Sequence, residues 1–210
     1  ERGTMAVAEL DRARMQVLRA VGRRSGVSVA PTLPAAQRYT GVLYRELDAA
    51  SLRGVARRRF QRDVLVVSGL WGLVSPTDPI PEYRLKMSAN LPPLGKLSTW
   101  WRPQLTAALA PRVAGSVVWD LLPAEHAAAL DWSELSPRLR VTVRFLDRND
   151  RTVSHWNKLL KGSIVRWLAE TGARRPEELE HFEHPQGYVL DPAATVVDGS
   201  HTSIVLRERG

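Results

Sequence analysis

The chain has 210 residues, is 44% hydrophobic and contains no cysteine, which excludes disulfides, thiolate metal sites and cysteine nucleophiles. Its formal net charge of +8 favours a polyanionic partner, although an arginine-for-lysine bias is also what a GC-rich coding sequence produces. No apolar run approaches the roughly 20 residues that span a bilayer and no signal-peptide pattern opens the chain, so a cytoplasmic protein without a membrane partner is expected.

The length suits one sizeable core, and a single domain over residues 1–210 is expected. Thr4 to Val21 reads as an amphipathic helix, with Met5, Leu10, Val17, Leu18 and Val21 near one face. Val27 to Pro34 reads as a loop. Thr40 to Leu47 is a short helix capped by Thr40, and a second helix follows Ser51 to about Arg62, carrying the run Arg57-Arg58-Arg59. Asp63 to Val67 is a buried strand. Leu94 to Leu109 is a helix that Pro103 bends or splits. Ser116 to Leu121 is a second buried strand, followed by an Ala-rich helix, Pro123 to Leu130. Arg140 to Phe145 alternates apolar and polar residues, as a strand with one wetter face does. A long helix runs from Thr152 to Thr171 and stops at Gly172. A Pro-led helix covers Pro176 to Phe182, and Gly187–Leu190 and Ser203–Arg207 are short late strands. Strands alternating with helices ahead of a β-rich tail indicate an α/β fold of the mixed-sheet α+β type.

There is no P-loop, no dinucleotide fingerprint and no Gly-x-Ser-x-Gly elbow. His181 and His184 stand beside Glu180 and Glu183, but a metal needs a third convergent ligand, so no metal and no cofactor is expected.

Three constellations remain. The first is SGLWGLVSPTDPIPEYRLKM, Ser68 to Met87. Gly69 and Gly72 permit close backbone approaches, and Pro76, Pro79 and Pro81 pre-order the loop. It presents Ser68, Asp78, Tyr83, Arg84 and Lys86. Arg84 suits bidentate binding of a phosphate or carboxylate, and Lys86 suits an anion as a point charge. The alternative is a rigid structural loop in which Asp78 pairs with Arg84. The second constellation is His155, Lys158 and Lys161, which share one helical face near its positive end and suit an anion site or a solvated basic face. The third is Tyr39 and Tyr44, which suit a ligand wall, base stacking or half-buried core positions. If the protein is an enzyme, Asp78 or Lys158 is the expected acid–base group.

These residues occur in an order that resembles the YaaA family of peroxide-stress resistance proteins. The match runs from Tyr39, Gly41 and Tyr44 through Ser68-Gly69-Leu70-Trp71-Gly72, Pro76, Asp78, Ile80, Tyr83-Arg84-Leu85 and Met87. It continues with Trp100-Trp101, then Ser154, Lys158, Lys161 and Gly162, then Gly187, Tyr188 and Asp191. The resemblance implies a YaaA-like mixed α/β fold, a cytoplasmic location and a role in limiting oxidative damage and free iron. It also implies double-stranded DNA binding through a helix-hairpin-helix element, holding phosphates without reading sequence. Two departures stand out. The initial strand and Pro/Lys/Thr motif of the family are not found, so an N-terminal piece is expected to be missing. The stretch before Tyr39 is also short for a hairpin element. Without that element, the Arg84 and Lys158 clusters suit an enzyme acting on a nucleotide-like or other phosphorylated small molecule in a biosynthetic pathway. Nothing in the sequence sets an oligomeric state.

Overall fold

The computed structural model describes residues 5–22, 26, 27, 29–152 and 154–209, with the side chains of 154–156 left out. In chain order the elements are α1 (Asp11–Val21), β1 (Thr32–Pro34), α2 (Ala35–Arg38), α3 (Val42–Leu47) and α4 (Gly54–Asp63). Then come β2 (Val66–Ser68), β3 (Gly72–Val74), β4 (Pro79–Pro81), β5 (Asn90–Leu91), β6 (Gly95–Lys96) and α5 (Leu97–Val113). The remainder is β7 (Val117–Asp120), α6 (Ala124–Ala127), β8 (Leu139–Leu146), α7 (Ser154–Thr171), β9 (Tyr188–Leu190), β10 (Val196–Asp198) and β11 (His201–Glu208). The architecture is α/β. No helix among the described residues is long and apolar enough to cross a membrane.

The chain forms two compact units. The first comprises Glu1–Tyr39, Gln61–Ala114 and Leu122–Ser136. Here the expected strand at Asp63–Val67 is a three-residue arm, because the turn at Gly69 folds it back as the β2–β3 hairpin. Pro79–Pro81 pairs with Thr32–Pro34, so a stretch read as loop contributes a strand. Proline removes the amide donor, which confines such pairs to edges and leaves no strand signature. Helix α5 runs unbroken through Pro103 and Pro111 and buries Leu97, Trp101 and Leu105. Helix α1 buries Val17 and also Arg14. The Arg14 guanidinium donates to the carbonyls of Trp71 at 3.0 Å and Leu73 at 2.8 Å, and pairs with Asp11. A charge on the buried face is tolerated there because its donors are satisfied.

The second unit comprises Thr40–Phe60, Gly115–Leu121 and Pro137–Gly210. Its sheet has the order β10-β11-β8-β7, with β9 also on β11; β7, β8 and β11 are parallel. Val141, Val143 and Phe145 alternate onto one face and meet Ile204, Leu206 and, from α7, Leu160 and Ile164. The late strand is therefore central and longer than its sequence period indicates. Strand β10 exposes Val196 and Val197, so it carries no burial pattern. The expected Pro-led helix is a 3₁₀ helix, Pro176–His181. Helices α3 and α7 pack closely at Gly162, where a Cβ would collide with the Leu43 carbonyl oxygen. Arg166 closes that contact by donating to the carbonyls of Leu47 and Asp48 at the end of α3.

Candidate functional site

In the first unit, three hydroxyl groups form a chain. Ser68 Oγ lies 2.6 Å from the Tyr83 hydroxyl, which lies 2.8 Å from the Tyr39 hydroxyl. The backbone N–H groups of Leu70 and Trp71 both donate to Ser68 Oγ, at 3.3 and 3.0 Å. Those two donors occupy the serine's lone pairs, so the Ser68 proton is directed to Tyr83. The Tyr39 and Tyr83 rings meet edge to face at 6.5 Å. Burial pushes the Tyr83 phenol above its ordinary range, against the smaller opposing effect of its bonds to Ser68 and Tyr39. Tyr83 is therefore held as a neutral phenol in a hydrogen-bonded row.

The turn that builds this row is rigid for steric reasons. A Cβ at Gly69 would stand 2.6 Å from the Leu85 carbonyl oxygen, so only glycine lets residues 85–87 lie against the turn. Trp101, fully buried, donates its indole N–H to the Gly69 carbonyl at 2.9 Å. Gly72 has φ 73° and sits against Leu105 and Trp101, opposite Ser68 in the β2–β3 hairpin. Asp78 is buried: one carboxylate oxygen accepts from the Ala6 N–H at 2.8 Å and the other from the Ser75 N–H at 2.9 Å. Its carboxylate thus ties the proline-rich loop to the chain before α1. Arg84 and Lys86 are exposed, and Arg84 makes no ion pair among the described residues.

The second unit holds the other expected residues. Tyr44 is half-buried on α3. Lys158 is exposed on α7 and Lys161, one turn on, is half-buried; the side chain of His155 lies outside the described residues. Burial pushes the Lys161 ammonium below its ordinary range, and the negative charge of Asp120 acts in the opposite direction. Asp120 ends β7 with its carboxylate buried and accepts from Arg140 at 2.6 and 3.1 Å. This places an acid, a guanidinium and an amine at the carboxyl end of a parallel strand, where α/β sheets commonly bind ligands. Asp120 stood in view at the end of the SVVWDL strand; a lone carboxylate closing an apolar run was the available signal.

A model of the family described as "Peroxide stress protein YaaA" matches residues 4–194. The chain belongs to the YaaA family. A UPF0246 protein of Streptomyces coelicolor is 41% identical over 190 residues, covering 88% of this chain and 72% of that protein. A UPF0246 protein of Methylibium petroleiphilum is 35% identical over 85% of this chain and 73% of its own length. One from a Ruegeria species is 30% identical over 73% of this chain; the match spans 64% of that protein.

Within this YaaA-family chain, part of the motif pattern serves the fold. Asp191 holds Arg207 at 2.7 Å and caps the turn at Ala194 with its other oxygen. Tyr188 is buried against Phe145. Arg59, from the densest basic run, covers Gly172 and donates to the carbonyls of Ala169 and Glu170 at the end of α7. Its neighbours Arg57 and Arg58 are exposed.

Proposed function

We propose that this YaaA-family protein binds phosphate-bearing ligands, double-stranded DNA foremost, through exposed cations that no carboxylate neutralises. Support comes from how the arginines and lysines divide. Arg14, Arg59, Arg140, Arg166 and Arg207 are engaged by backbone carbonyls or carboxylates. Arg57, Arg58, Arg84, Lys86 and Lys158 are exposed and, among the described residues, form no ion pair and no side-chain hydrogen bond. Such cations attract a phosphate backbone without reading sequence, and binding releases the counterions condensed on DNA. A peroxide-stress role follows the family description. Fluorescence anisotropy with a labelled duplex at rising salt tests the proposal. Affinity that falls steeply with salt is expected; absence of binding at low salt overturns it.

A second reading has its own observation. The Ser68–Tyr83–Tyr39 row is an ordered set of neutral hydroxyls next in sequence to Arg84 and Lys86, a combination that suits a phosphorylated small molecule better than a flexible polymer. On this reading the protein is an enzyme, with the tyrosine row moving protons and Asp78 holding the loop. Thermal shift against nucleotides and sugar phosphates separates the two. A shift that survives high salt and disappears in Tyr83→Phe favours the enzyme.

A further inference from the structure

In the second unit His184 lies in the turn between Phe182 and β9, with a side chain only 4% exposed. Its ring stacks on Phe182 at 6.3 Å and meets Tyr188 edge to face at 6.2 Å. The Gln186 N–H donates to Nδ1 at 3.2 Å, so the neutral ring carries its proton on Nε2. Nε2 has no hydrogen-bond partner among the described residues and faces the Glu46 carboxylate of α3 from 3.6 Å. Glu46 accepts from Ser163 Oγ of α7 at 3.0 Å. The other charged groups lining the hollow beside the ring are Glu183 and, on α7, Arg166 and Glu170, which pair with each other at 3.0 Å. Burial holds the Tyr188 phenol above its ordinary range, so it stays neutral in acid.

A proton added to this ring has only Nδ1 to go to. There it confronts the Gln186 N–H, donor against donor, and the bond that closes the turn is lost. Gln186 is exposed, so water meets its amide once it is released. Nε2–H keeps its place, and the imidazolium is drawn to the charge of Glu46. Protonation thus exchanges a bond inside the turn for an ion pair to α3. The turn leads directly into β9: the Gly187 N–H donates to the His184 carbonyl at 2.7 Å, and the Gly187 carbonyl accepts from the Arg209 N–H at 2.9 Å.

We propose that His184 is an acid-operated latch: its neutral ring closes the turn His184–Gly187 on the Gln186 amide, and its protonated ring releases that amide and pairs with Glu46, loosening the start of β9. The device is independent of the phosphate-binding reading. Burial pushes the imidazole below its ordinary 6.5, against the smaller opposing pull of Glu46, so the latch lets go below that pH. The unfolded chain takes up this proton first as pH falls, so folded stability also declines from pH 6.5 down through the folded value.

Residue-resolved NMR from about pH 7.5 to about pH 4.5 tests this, with exchange corrected for its intrinsic pH dependence. The Nε2–H tautomer at neutral pH and a ring titration midpoint below 6.5 are expected. Protection of the Gln186 amide should fall at least about tenfold across the same midpoint. Glu46→Gln removes the charge that favours the imidazolium and should move both midpoints to lower pH together. His184→Asn supplies a side-chain oxygen that accepts from the N–H two residues on and does not titrate, so Gln186 protection should persist in acid. Should either variant not fold, the wild-type ring titration and Gln186 amide decide on their own. An Nδ1–H tautomer at neutral pH, Gln186 protection that does not follow the ring's titration, or midpoints unmoved in folded Glu46→Gln overturns the proposal. So does acid loss of Gln186 protection in folded His184→Asn.

Discussion

The hydroxyl of Ser68 lies 2.6 Å from that of Tyr83, across fifteen residues of chain. That bond joins the glycine turn to the segment that carries Arg84 and Lys86. The turn's two N–H donors on Ser68 then fix the direction in which the row is polarised.

Tyr83→Phe removes the middle of the row and leaves the Ser68 and Tyr39 hydroxyls to find other partners. A stability loss of about 1–3 kcal/mol in urea unfolding is expected. The pH dependence carries a sign. The folded phenol is raised above its ordinary value of 10.0. Its contribution is therefore complete below pH 10 and is lost as pH rises through the folded value. Above pH 10 the difference in stability between wild type and Tyr83→Phe should shrink. A difference that stays constant with pH contradicts a buried phenol at this position.

Asp78→Ala strips two backbone N–H groups of their acceptor. Hydrogen bonds to a charged group contribute about 1.5–3 kcal/mol each, so a loss of about 3 kcal/mol or more is expected. Asp78→Asn keeps one acceptor and should cost about half as much. Chemical denaturation of both variants checks this. If Asp78→Asn folds normally and only ligand turnover suffers, Asp78 is an acid–base group and not a loop tie.

Gly69→Ala drives a methyl group into the Leu85 carbonyl. Overpacking against backbone should cost about 1–3 kcal/mol, seen as a lowered urea midpoint. Alanine at exposed Gly199 meets nothing within 4 Å, though its φ of 55° adds strain of a different origin. Comparing the two separates steric contact from backbone conformation.

Lys161→Met should raise stability near neutral pH. The ammonium is pushed below its ordinary 10.5 by burial, so keeping it charged in the folded chain works against folding. The unfolded chain binds the proton more tightly, and wild-type stability rises with pH through the window ending at 10.5. The advantage of Lys161→Met should therefore narrow towards pH 10.5 in paired thermal melts. A variant less stable than wild type at pH 7 would show that Lys161 is held by attraction to Asp120.

Periodicity made the central elements legible. Alternation in Arg140 to Phe145 found β8, and the stretch from Thr152 to the stop at Gly172 found α7. The glycine turn was legible because glycine permits what Gly69 does. Arg14 was not, since nothing local distinguishes an arginine that reaches hairpin carbonyls from one that meets solvent. The β1–β4 pair was hidden by its prolines, and β10 by its exposed valines. The Ser68–Tyr83–Tyr39 row draws on three distant positions whose contact exists only once the turn closes. The Glu46–His184 contact is likewise assembled from α3 and a late loop, more than a hundred residues apart.

Salt-dependent binding of a labelled DNA duplex to wild type and to the double variant Arg84→Ala/Lys86→Ala is the most direct test of the phosphate-binding claim. Wild type should bind at low salt, with log affinity falling linearly against log salt at about 0.9 per phosphate neutralised, and the variant's slope should be shallower by about two. Wild type that fails to bind at low salt, or a variant with an unchanged slope, would contradict it.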